Sequence, residues 1–224
     1  MLLELSTRIH QDIPRYPGTP EESFIPDNRI ENGDPNNTTS IVHFLHTGTH
    51  VDAPSHFDKT GLTISDIPID RFIYNTPLVV NIPKKKGELI LKEDLDIYKN
   101  IDSADLLLIH TGYSRFMNSP FDFLDDFPAL SLEAARYLRS VPSLKAIGID
   151  TISIEGIKGL DEGFPVHHEL LDSKIGMRDP LLVYENVFLS ELMSNELPFR
   201  VYAFPLRLEN MDASPVAMVA EIKE

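Results

Sequence analysis

The chain contains no cysteine. That excludes disulfides, a thiol nucleophile, thiolate zinc and iron–sulfur clusters. Any metal must therefore be held by His, Asp and Glu, a donor set that suits an open catalytic site better than a closed structural one. Basic residues are scarce: 20 Lys and Arg stand against 35 Asp and Glu, a formal net charge of -15. Nucleic acids and anionic membrane surfaces demand a basic footprint, which is missing. The acidic residues are spread along the chain and read as a solvated surface. No apolar run approaches the ~18 residues needed to cross a bilayer. The opening Met-Leu-Leu-Glu4 lacks the basic region of a signal peptide, so a cytoplasmic protein is expected. A Gly-x-Ser-x-Gly elbow is absent, which argues against a Ser-His-Asp hydrolase, and the absence of His-Glu-x-x-His excludes a zincin. Without repeats, low-complexity segments or an interdomain linker, the 224 residues read as one domain, 1–224.

Short apolar runs, often β-branched and bounded by Pro, Gly or Asp, predict strands at Leu78–Ile82, Leu106–Ile109, Ala146–Ile149, Leu181–Tyr184, Arg200–Phe204 and Val216–Ile222. The clearest helix begins at Ser131, an N-cap type, with Leu132, Ala135 and Leu138 at helical spacing. Leu91–Tyr98 and Leu189–Leu197 are two further short helices. The polar stretch Pro26–Thr39, with its Asn-Gly and Asp-Pro-Asn-Asn, reads as a surface loop. Strands outnumber helices and do not alternate with them. The expected class is therefore mixed α/β, with a largely β core and flanking helices, rather than a doubly wound parallel sheet.

The chemistry concentrates in His46-Thr-Gly-Thr-His50-Val-Asp52-Ala-Pro54-Ser-His56. A strand over Ile41–Leu45 leads into it. If the chain stays extended, His46, His50 and Asp52 share one face because side chains alternate with period two. Gly48 on that face leaves room for an ion between the imidazoles. Two imidazoles and a carboxylate are common ligands of a hydrolytic zinc or manganese ion, and a carboxylate can bridge two ions. Pro54 ends the strand, and His56 can return beside the ion without ligating it. His43, on the opposite face, is read as a packing or surface residue. A second cluster, Phe164-Pro-Val-His167-His168-Glu169, and Glu185 at the end of an apolar run are the distant candidates. Each taken alone has an ordinary structural explanation, although a carboxylate buried at a strand end is costly unless paired or metal-bound.

The pattern His46-x-Gly-Thr-His50-x-Asp52-x-Pro54-x-His56 resembles the signature of the putative-cyclase superfamily of metal-dependent hydrolases, which includes bacterial kynurenine formamidase (arylformamidase) and isatin hydrolase. Ile13-Pro-Arg-Tyr16-Pro-Gly18 resembles that family's N-terminal substrate loop. Gly148-Ile-Asp150-Thr151 and Ser214-Pro215-Val216 resemble its later strands. The resemblance implies a swivelling β/β/α fold, a homodimer or homotetramer, a small-molecule substrate and one or two divalent ions, zinc first and manganese the alternative. It further implies His46, His50, Asp52, His167 and Glu185 as metal ligands, with Asp52 bridging where two ions bind. His56 becomes the acid/base and Tyr16 a substrate contact. Formamidases usually carry Trp where this chain has Tyr16, Asp at Thr19, and Arg at His110 and Ala217. The expected activity is hydrolysis of a C–N amide bond of the arylformamidase kind. The alternatives are a lactam- or lactone-opening hydrolase and a non-catalytic metal or small-molecule binder.

Overall fold

The computed structural model describes residues 1–117, 124, 126–175, 179–190, 192 and 198–222, without the side chains of 160 and 199. Its strands are β1 (Leu2–Glu4), β2 (Ser23–Asn28), β3 (Thr38–Val42), β4 (His50–Asp52), β5 (Ile73–Tyr74), β6 (Pro77–Asn81), β7 (Leu89–Ile90), β8 (Leu106–His110), β9 (Ala129–Leu130), β10 (Ala146–Ile149), β11 (Leu182–Glu185), β12 (Pro198–Pro205) and β13 (Ala213–Ile222). The helices are α1 (Lys92–Asp96), α2 (Leu132–Ser140), α3 (Gly159–Glu162) and α4 (Pro165–Leu171). The expected mixed α/β class with a β core is what forms.

One nine-stranded sheet runs β5-β12-β13-β4-β11-β10-β8-β6, with β1 added to β13. Strands β6, β8, β10 and β11 are parallel to one another, and the remaining pairings of this sheet are antiparallel. The apolar runs read as strands because both faces of the parallel part are buried. Along β8, Leu106 and Leu108 enter one core, while Leu107 and Ile109 enter the other. Along β11, Leu182 and Tyr184 enter the first and Val183 the second. Burying an aliphatic side chain of this size contributes ~1.5–3 kcal/mol, so a one-residue slip that exchanged the two faces would be resisted along each of these strands.

The second core is closed by α2 and α4. Ser131 Oγ accepts from Ala134 N (3.2 Å) as the N-cap of α2. Arg139, buried at the end of α2, donates to Leu170 O (2.7 Å), Asp172 O (3.3 Å) and Ile175 O (3.0 Å). It thereby ties the end of α2 to the end of α4 and the chain that follows it; Leu170 O also accepts from Leu181 N (3.0 Å).

Three sequence expectations change, and a fourth lies mostly outside the described residues. Leu91–Tyr98 shortens to α1, Lys92–Asp96, where the Asp94 carboxylate accepts from Leu91 N (2.8 Å). The expected helix Leu189–Leu197 falls on 191 and 193–197, outside the described residues. The stretch Pro26–Thr39 is only partly loop, because β2 and β3 pair as an antiparallel hairpin and take in both of its ends. The strand expected over Ile41–Leu45 stops at Val42, and the chain from there to β4 is a turn. Gly48 has φ +70° in this turn, and a Cβ there would sit 3.2 Å from both Ile13 Cδ1 and Thr7 Oγ1. His46 therefore reaches the site from a turn rather than from an extended strand.

Beyond β4 the chain makes a 3-10 turn at Pro54–His56, and Gly61 packs against its backbone. A Cβ at Gly61 would lie 2.6 Å from Pro54 C and 2.8 Å from Ser55 N. Overpacking of this kind costs ~1–3 kcal/mol, worth about 2–4 °C in Tm per kcal/mol for a chain of this size. Gly61→Ala is expected to melt several degrees below wild type by differential scanning fluorimetry. An unchanged Tm would show that the turn moves freely.

Candidate metal centre

The short strand β4 sits between β11 and β13, and the register decides what meets what. Glu185 of β11 lies opposite His50, and Val183 lies opposite Asp52. On the other side Pro215 lies opposite His50 and Ala213 opposite Asp52. Asp212, which immediately precedes β13, accepts at its backbone carbonyl from Ala53 N (2.9 Å). Two distant stretches thus bring carboxylates around one histidine-bearing strand that carries a carboxylate of its own.

His50 Nδ1 donates to Gly48 O (2.9 Å). This leaves its Nε2 3.4 Å from both Asp52 Oδ1 and Glu185 Oε2. His167, from α4, has its Nε2 3.2 Å from Glu185 Oε1 and 3.9 Å from Asp52 Oδ2. His46 bridges Asp52 Oδ1 (2.9 Å from Nδ1) and Asp212 Oδ2 (3.0 Å from Nε2). His56 Nδ1 is 2.9 Å from the same Asp212 oxygen, and its ring lies 4.2 Å from that of His46. Ligand atoms of His50, Asp52 and Glu185 fall within 4.8 Å of one another, as do those of His46, Asp52 and His56. Asp52 belongs to both sets.

These residues fit a divalent ion on a direct observation. His50 Nε2 and Asp52 Oδ2 are buried and have no hydrogen-bond partner. Leaving such atoms unsatisfied is costly, and an imidazole nitrogen facing carboxylate oxygens is a hard-to-borderline donor set. His168, half-exposed, points away and packs edge-on to Phe57. The His167 ring is instead stacked on Phe57 at 4.8 Å. The geometry brings His167, not His168, to the cluster.

The loop after β10 holds the cluster from behind. Glu185 Oε1 accepts from Ile154 N (2.7 Å) and Ser153 Oγ (3.1 Å). Tyr16 is half-buried and meets Phe127 edge-on at 6.4 Å. Its phenol is pushed up by burial first, and then by the charges of Glu185 and Glu155. His43 pairs with the buried Glu22, outside this cluster. Asp212 and Glu155 were not singled out by sequence. Asp212 had a signal in its place just before Ser214-Pro215-Val216; Glu155 had only its place after Gly148-Ile-Asp150-Thr151.

The charges lean on one another. Burial alone would lower the pKa of His50, but Asp52 and Glu185 raise it to about 10. For His167, burial is likewise outweighed by Glu155, Glu185 and Asp52, again to about 10. Asp52 and Asp212 outweigh burial at His46 and bring it to about 9. Burial would raise Glu185, but His167 and His50 hold it at about 2. Asp52 is held well below the usual carboxylate range against its burial, first by the charge of His46. His46 and His56 lower Asp212. The metal-free cluster is therefore a set of imidazolium–carboxylate pairs.

The chain matches the sequence family described as Putative cyclase over residues 3–156. It is 30% identical over 217 residues to a kynurenine formamidase of Bacillus mycoides (strain KBAB4), covering 97% of this chain and 95% of that one. It is 32% identical over 225 residues to a kynurenine formamidase of Paracidovorax citrulli (strain AAC00-1), covering 98% and 95%. Isatin hydrolase A from Labrenzia aggregata, solved with benzyl benzoate, shares the fold with a TM-score of 0.84 at 20% identity, covering 100% of this chain and 94% of that one.

Two pH dependences follow. An ion entering between His50 and His167 must displace their protons, so affinity rises with pH while both imidazoles are protonated. A chelator-competition titration at pH 6.5, 7.5 and 8.5 is expected to give log K against pH a slope of about 2. A flat profile would contradict the pairing. In the metal-free protein, the raised histidines contribute stability that is complete below their ordinary 6.5 and lost as pH rises through about 9 to 10. The lowered Glu185 contributes stability that is complete above 4.5 and lost as pH falls through about 2. Thermal melts in chelator are expected to peak between those limits, near pH 4.5–6.5. A maximum above pH 9 would contradict the pairing.

Proposed function

The chain belongs to the Putative cyclase family, and from that premise we propose that it is a metal-dependent hydrolase cleaving the C–N amide bond of a small carbonyl compound, with an N-formyl arylamine as the substrate class. The observation that carries this reading is the pair of unpartnered buried atoms, His50 Nε2 and Asp52 Oδ2, next to a partly exposed histidine that is itself held by a carboxylate. The formamidase relatives support an amide substrate.

His50, Asp52, His167 and Glu185 would hold one divalent ion, and His46 with Asp52 would contribute to a second. Zinc is the first expectation and manganese the alternative, because nitrogen and carboxylate donors suit both. When bound, such an ion supplies a Lewis acid for the carbonyl and lowers the pKa of water. His56 donates from Nδ1 to Asp212, so the neutral ring offers its lone pair at Nε2. It takes the proton from the attacking water and returns it to the amine nitrogen as the C–N bond breaks. Water oxygen ends on the acyl carbon, and the free amine leaves. Asp212 fixes the tautomer and orientation of His56. Tyr16, edge-on to Phe127, would border the aryl group.

Tyr16, Thr19, His110 and Ala217 differ from the residues usual in formamidases. Ring opening of a lactam or lactone therefore remains the competing substrate class. A homodimer or homotetramer is part of the same proposal, supported by the exposed apolar side chains Ile25, Ile41 and Val42 on the β2–β3 hairpin.

His56→Ala is expected to keep its metal content while hydrolysis of N-formylkynurenine falls about 10²–10⁴-fold. Asp212→Asn is expected to lower turnover in the same direction. Both are checked by absorbance assays on metal-loaded protein, with isatin as the second substrate. Wild-type turnover by the His56 variant would refute the acid/base role. No turnover of either compound by loaded wild-type protein would favour the binder.

A further inference from the structure

We infer that Glu155 is a positioning residue that fixes His167 as a metal ligand. This inference rests on the reading of the cluster as a metal site.

Helix α4 opens without a local cap. Phe164 precedes it at φ 58° with no side-chain acceptor, and Pro165 takes the first helical position. The first free amides are filled from another loop: Glu155 Oε2 accepts from Val166 N (2.8 Å) and His167 N (3.0 Å). The same oxygen lies 3.3 Å from His167 Nδ1. A carboxylate at Nδ1 keeps the ring proton there, so that Nε2, once an ion displaces its own proton, offers its lone pair on the side of Asp52 and Glu185. His50 is anchored at Nδ1 too, but by the neutral Gly48 carbonyl. The charged acceptor distinguishes the way His167 is held from the way His50 is held.

Glu155 is 4% exposed, and space is reserved for it. A Cβ at Gly159 would overlap its carboxylate. The segment that carries it also steadies the facing ligand. Ser153 Oγ accepts from Glu155 N (3.1 Å) and donates to Glu185 Oε1 (3.1 Å). One short loop thus sets the spacing between His167 and Glu185, which come from different elements.

The test is zinc affinity, measured by competition with a chromophoric chelator on full-length protein. Glu155→Gln is expected to weaken zinc binding about 10–100-fold. In a His167→Ala background the same change is expected to cost less than about twofold, because the residue acts through the ring that has been removed. Gly159→Ala, which displaces the carboxylate without deleting it, is expected to weaken binding in the same direction and serves if the Gln variant does not fold. Wild-type affinity in both Glu155→Gln and Gly159→Ala would overturn the inference. So would an equal loss with and without His167, which would mark general support of α4. Wild-type protein that takes up no zinc would instead overturn the metal-site reading beneath it.

Discussion

Asp52 lies buried at the centre of the sheet with one carboxylate oxygen that accepts no hydrogen bond. A charge in that position is tolerable only if positive charge surrounds it. Much of the local architecture reads as a response to this constraint. His46, His50 and His167 approach from a turn, a strand and a helix. Glu185, Asp212 and Glu155 hold those rings from outside. In the metal-free protein the carboxylates hold the imidazoles protonated, which is why burial fails to lower the histidine pKa values. An ion entering the cluster takes the place of the protons, so the residues that stabilise the empty fold are the same ones that bind.

The sheet delivers this arrangement through a short strand. β4 spans only His50–Asp52, and is paired on both sides. Its backbone is therefore fixed by neighbours whose registers are set by the alternating burial of their own side chains. The site stands where the parallel strands meet the antiparallel ones. Around it, Pro54–His56 and the Ser153–Glu155 loop are held by close contacts and buried hydrogen bonds. Positional precision of this order matters because near-attack geometry tolerates only small displacement.

The strands were legible because both faces of the parallel part are buried, which leaves uninterrupted apolar runs. The segment His46–His56 was legible because its residues are adjacent in the chain. Its shape was not: the extended strand expected through His46 ends at Val42, and the turn that follows carries Gly48 at a positive φ that the spacing does not reveal. Glu185 was a candidate from its place at the end of an apolar run and a ligand by resemblance, and strand register explains its place opposite His50. His167 shares a buried helix face with Val166, Leu170 and Leu171, a helical spacing that could have separated it from the exposed His168. Asp212 and Glu155 were missed because a lone acid in an acidic chain looks like surface. Only tertiary packing turns them inward.

The central claim is that this cluster holds a divalent ion. The most direct measurement is metal content per chain, by elemental analysis of freshly purified protein beside a His50→Ala control. One to two equivalents of zinc or manganese, lost in the variant, is the result the account predicts. Wild-type protein free of metal, even after incubation with either ion, would contradict it.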